Sequence, residues 1–148
     1  MIGLPDVNVL VALAWPNHVH HDRAVAWFRE HSARGWATCP ATQTGFVRVS
    51  SNPRAIPDAC MPQDAIALLQ RYVALPGHHF WPDDIALADS PAIARDKLIG
   101  YRQITDAHLL ALAIVRGGRL VTFDRGIVEL VPAEFAASAP VPVQVLSA

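Results

Sequence analysis

Short apolar runs, each too brief to make a stable helix, recur along the chain with helical stretches between them, and this alternation constrains the fold more than any other feature. Ile2 to Asp6, Trp36 to Cys39, His79 to Trp81, Leu120 to Phe123 and Val141 to Leu146 read as strands. Strands that alternate with helices predict a mostly parallel sheet with helices on both faces, an α/β sandwich. A chain of 148 residues is near the usual size of one domain, so a single domain spanning 1–148 is expected.

The helical segments carry their own punctuation. Val7 to Trp15 is stopped by Pro16 and Asn17, and from about Val19 to His31 the apolar residues Val19, Ala24, Trp27 and Phe28 recur at helical spacing. Ala41 to Val49 is opened by Pro40 and broken by Ser51 to Arg54, and Pro62 to Val73 forms a helix ending before Pro76-Gly77. Between Pro82 and Gly100 the signals are mixed, with one short helix expected from about Ala92 to Leu98. Thr105 to Arg116 is the clearest helix, with Thr105 as its expected N-cap and Gly117-Gly118 as its close.

Composition narrows the class of function. A net charge of −1 provides no global field for nucleic acid or membranes, so a polyanion must be held locally. Lys97 is the only lysine among twelve cationic side chains; the arginines carry planar forks that suit phosphate oxygens, although a GC-rich genome also favours them. Cys39 and Cys60 make no metal pair and no disulfide framework, the opening Met1-Ile2-Gly3-Leu4-Pro5 does not resemble a signal peptide, and no run reaches the roughly 18 apolar residues of a membrane span. A reducing cytoplasm is the expected location. A hydrophobic share of 52% leaves apolar surface over for an oligomer or a complex.

Asp6 and Asp124 each follow an apolar strand, and Asp106 lies in the first turn of the helix before the second of these strands. In open α/β sheets ligands bind beyond the carboxyl ends of the strands. Three carboxylates gathered there repel, and a divalent cation resolves the conflict. Oxygen donors without spaced Cys or His point to Mg²⁺ or Mn²⁺ rather than zinc. Taken singly, each aspartate is also what a strand end or N-cap favours for structural reasons alone.

The motifs Leu4-Pro5-Asp6-Val7-Asn8-Val9-Leu10, Ile104-Thr105-Asp106-Ala107-His108-Leu109 and Leu120-Val121-Thr122-Phe123-Asp124-Arg125-Gly126 resemble, in order and spacing, those of PIN domains, and in particular VapC-type toxins of bacterial toxin–antitoxin pairs. The resemblance covers the whole chain and implies a PIN-like three-layer sandwich. It also implies hydrolysis of RNA phosphodiesters with Mg²⁺, or Mn²⁺ in its place. Asp6 and Asp106 would be direct ligands, Asp124 a ligand directly or through water, and Asn8 and Thr122 would orient waters or carboxylates around them. Where the family usually places a glutamate this sequence has Gln43, an amide that can coordinate or orient water but cannot act as a base, which puts a second metal in doubt.

Arg125 beside the site, and Arg48, Arg54 and Arg102 flanking it, are candidates for phosphate contacts, with solvated surface as the alternative. His18, His20 and His21 read as surface, and Trp15, Trp27 and Phe28 as core or as a groove for a partner helix. The resemblance further implies a VapB-like antitoxin that covers the site, and a homodimer. Two other readings stand beside it: a degenerate PIN module that binds antitoxin or RNA without cutting, suggested by Gln43, and a haloacid-dehalogenase-type phosphotransferase, suggested by Asp6-Val7-Asn8.

Overall fold

The computed structural model describes residues 1–147. Strand β1 (Gly3–Pro5) leads directly into helix α1 (Val7–Ala14), followed by α2 (His21–His31) and β2 (Trp36–Thr38). Helices α3 (Pro40–Ser50) and α4 (Pro62–Val73) precede β3 (His78–Phe80). After a long excursion come α5 (Ile104–Val115), β4 (Arg119–Thr122), the short α6 (Ala133–Ala136) and β5 (Val143–Val145). All pairings are parallel, in the order β3-β2-β1-β4-β5, so the mostly parallel sheet read from the sequence is a wholly parallel one.

Alternation along the strands divides the core in two. Leu4, Ala37 and Leu120 face α5, packing with Leu109, Leu110, Leu112 and Ile127. Trp36 and Val121 face the other way, toward Val9, Trp27, Phe46 and Leu69 of α1 to α4. Trp27 is buried while Trp15 and Phe28 are half-buried against the same cluster, as core residues. Helices α1 and α3 cross closely because Gly45 has no side chain: a Cβ there would stand 2.4 Å from Cγ2 of Val7.

Helix α5 ends in a glycine-dependent close. Gly117 takes φ +69, its N–H donates to the carbonyl of Ile114, and Gly118 N–H donates to that of Ala113. This pair of bonds satisfies the last free carbonyls and turns the chain into β4.

Three local expectations are corrected. No helix spans Ala92 to Leu98; only one 3₁₀ turn, Arg95–Lys97, forms there. Ala92, Ile93 and Ala94 are buried consecutively, the pattern of a segment pressed flat on a surface rather than of a helix with one apolar face. Asp83 and Asp84 fasten that excursion to α5 through His108 (2.5 Å) and Arg116 (2.8 Å). Thr105 is not the N-cap of α5, which begins at Ile104 after Gln103, itself part of a 3₁₀ turn running into the helix. Helix α2 starts at His21, since residues 16–20 are occupied by turns.

Candidate active site

Strand β1 is central, and the chain leaves it toward β2 and β3 on one side while β4 and β5 fill the other. The crevice between the ends of β1 and β4 is therefore the point where connections diverge, the place such sheets leave open for ligands. Asp6 stands at that point. Its backbone N–H donates to the carbonyl of Val121 (2.9 Å), and its Oδ1 accepts from the N–H of Val9 (2.9 Å), which makes it the N-cap of α1.

Asp6 is buried, and its carboxyl is pushed up from 3.8 to about 6. Burial is the largest cause, and the charge of Asp106 adds to it; hydrogen bonds from Thr122 and from the N–H groups of Val9 and Asn8 act in the opposite sense. None of the groups acting on it is a cation. Asp106, half-buried in the first turn of α5, is likewise raised, by burial first and then by the charge of Asp124.

Asp124 is exposed and caps the turn Arg125–Leu130, its Oδ1 accepting from Gly126 N–H at 2.8 Å. Its own N–H donates to Oγ1 of Thr122 (3.0 Å). The fully buried Thr122 hydroxyl thus accepts from Asp124 while donating toward Asp6, linking the two motifs through one side chain.

The aspartates form a graded series rather than a tight claw. Asp106 acts on Asp6 and is acted on by Asp124, while no three His, Cys, Asp or Glu side chains among the described residues stand close enough to grip one ion together. The donor chemistry nevertheless suits a hard divalent cation: the groups are carboxylate oxygens, and neither ion pair found among the described residues involves any of the three. A cation would relieve the cost that burial imposes on the charged form of Asp6.

Gln43 occupies the first turn of α3, half-buried. Its Nε2 donates to Oγ1 of Thr38 (3.0 Å), and that hydroxyl lies 2.8 Å from Nε2 of His78. Because Thr38 accepts from the amide, its own proton is free for His78, whose basicity is lowered by burial and then by His79. The carbonyl oxygen of Gln43 keeps no partner among the described residues and is left to accept. Neither Thr38 nor His78 is marked by sequence spacing; only the β2–β3 register brings them together.

The remaining candidates separate by place. Asn8 is exposed on α1, and it is its backbone N–H, not its side chain, that bonds Asp6. Arg125 is exposed next to Asp124, and Arg102 is exposed in the turn that opens α5. Arg48 lines a groove of about 570 Å³ between α3 and α4 together with Gln43, Val47, Ile66 and Leu69. Arg54 lies past the end of α3, about 10 Å of helix beyond Gln43.

The histidine cluster is more engaged than a surface reading allows. His18, His20 and His21 are half-buried; His18 Nδ1 accepts from His20 N–H (3.0 Å), His21 Nδ1 lies 2.8 Å from the carbonyl of Ala12, and His20 stacks on Phe123 at 4.5 Å.

Residues 4–131 match the PIN domain, and the chain belongs to that family. Its similarity to individual members is high. It is 50% identical to ribonuclease VapC39 of Mycobacterium tuberculosis over 129 residues, covering 87% of this chain and 93% of that protein. It is 51% identical to ribonuclease VapC38 of the same organism over 129 residues (87% and 89%), and 48% identical to ribonuclease VapC44 over 127 residues (86% and 89%). Membership in this family removes the haloacid-dehalogenase reading.

Proposed function

We propose that this chain is the toxin of a toxin–antitoxin pair, a divalent-metal-dependent endoribonuclease that hydrolyses RNA phosphodiester bonds. The observation that carries the reading is Asp6: a buried carboxylate at the divergence point of the sheet, raised to about 6, coupled to Asp106 and met by no cation. Relatives near half identity named as ribonucleases support the substrate class and give the non-cutting alternative no support.

Asp6 and Asp106 would hold Mg²⁺, or Mn²⁺ in its place, with Asp124 completing the set directly or through water. Bound there, the ion supplies Lewis acidity toward phosphate and water. The protein's own part is to hold the carboxylates in place. Val9 N–H and the N-terminus of α1 hold Asp6 in place, and Thr122 ties Asp6 to Asp124. Gln43, anchored by Thr38, offers its amide oxygen to water or substrate, and Arg125, Arg102 and Arg48 receive the phosphate chain.

A VapB-like antitoxin is the expected partner, with an arginine of its own entering the acidic crevice. A homodimer in the cytoplasm is the expected state, and no helix among the described residues is long and apolar enough to cross a membrane. The test is cleavage of RNA with added Mg²⁺ or Mn²⁺ by the wild type and Asp106→Asn: the variant should lose at least about 100-fold in rate. Equal rates would remove Asp106 from the site.

A further inference from the structure

Tyr101 projects from the protein just ahead of the candidate site, 81% exposed, in the 3₁₀ turn Tyr101–Gln103 that runs straight into α5. Ile99, 93% exposed, and the partly exposed Ile104 flank it in the chain, so two aliphatic side chains face solvent on either side of the ring's residue. The turn that carries them is held by Gln103. The side-chain Oε1 of Gln103 accepts from the N–H of Ile99 (2.6 Å) and of Gly100 (3.1 Å), bracing the backbone of the turn. The guanidinium carbon of Arg102 lies 5.8 Å from the Tyr101 ring centroid, with its Nε 3.4 Å from the phenol oxygen.

We infer that Tyr101 and Arg102 form a stacking platform for an unpaired base of the RNA strand entering the site, with the Arg102 guanidinium beside the ring to meet that strand's phosphate. The proposal rests on the nuclease reading and deepens it, by making the substrate single-stranded at this position. Position and charge favour this occupant. Counting rises of about 2.0 Å per residue in the turn and 1.5 Å in the helix, Tyr101 stands roughly 9 Å along the axis from Asp106, within reach of a neighbouring nucleotide. An aromatic face beside an arginine is the pairing that single-strand binders use, since every base has a π-face and every nucleotide a phosphate. Gly100 adds no side chain beside the ring, and apart from its two chain neighbours nothing lies within 4 Å of where its Cβ would be, so the turn is open to solvent on that side. A duplex has no free face to offer the ring.

The experiment is fluorescence anisotropy of a short fluorescein-labelled single-stranded RNA in EDTA, where binding is read without turnover, for the wild type, Tyr101→Ala, Tyr101→Trp and Arg102→Ala. Sedimentation of each protein and a Mg²⁺ cleavage assay of the wild type run alongside. Tyr101→Ala should weaken binding about 5- to 150-fold, the range alanine substitution shows for a stacked base. Tyr101→Trp should restore it, and Arg102→Ala should weaken it and flatten its salt dependence. Equal binding by the wild type and Tyr101→Ala would overturn the platform while leaving the nuclease reading intact. A change in sedimentation caused by Tyr101→Ala would overturn it as well, by giving the ring to a contact between copies of the chain. A wild type that neither binds nor cleaves RNA would overturn the nuclease reading and the platform with it.

Discussion

Replacing Asp6 by Asn should stabilise the protein at pH 8 while removing its activity. The carboxyl is only 6% exposed and is raised from 3.8 to about 6. The folded state therefore holds an extra proton between those values, so the wild type loses stability as pH rises through that window. At about 1.4 kcal/mol per pH unit the loss amounts to about 3 kcal/mol, fully developed above pH 6 and absent below 3.8. Asparagine keeps an oxygen for Val9 N–H, but its amide N–H groups meet the Thr122 hydroxyl, which already accepts from Asp124. That conflict costs about 1 kcal/mol. A net gain of about 2 kcal/mol at pH 8 in EDTA follows, or about 4–8 °C in Tm for a chain of this size. Urea unfolding of both proteins from pH 4 to 8 measures it, and Mg²⁺ should raise the Tm of the wild type alone. A variant less stable than the wild type at pH 8, or a difference that does not vary with pH, would refute the reasoning.

RNA cleavage should rise with pH through about 6 at limiting metal, and its midpoint should move to lower pH as Mg²⁺ is added, because the cation favours ionised Asp6; rates measured across pH 5 to 8 at two metal concentrations check this. Thr122→Val should lower kcat about 10- to 100-fold, since it removes the donor to Asp6 and the acceptor for Asp124 N–H at one stroke, while denaturant unfolding should show a cost of about 1–3 kcal/mol. Gly45→Ala should destabilise by about 1–3 kcal/mol through the clash with Val7, and a Val7→Ala change in the same chain should recover part of it in thermal unfolding.

The long periodic elements were readable because local chemistry alone decides them. Val7 to Ala14, Pro62 to Val73 and the glycine close of α5 each have an apolar run and a distinct start or stop. The excursion between β3 and α5 was not readable, since it is held by partners far along the chain: Asp83 by His108 and Asp84 by Arg116. Similarly, Thr105 looked like a cap because its residue type suits one, yet Gln103 organises the turn by folding back onto Ile99 and Gly100. Asp6, Asp106 and Asp124 were visible as strand-end and helix-start acids. The Thr122 bridge between two of them and the Thr38–His78 support of Gln43 depend on strand register, which no local pattern specifies.

Strand β1 takes its two neighbours from very different stretches of the chain, β2 from the first third and β4 from close to the end. Synthesis from the N-terminus thus delivers Asp6 well before Thr122 and Asp124. The crevice has no second wall until then. A partly made chain thus carries Asp6 without the β4 side of its crevice, and the two sides meet only when β4 docks beside β1.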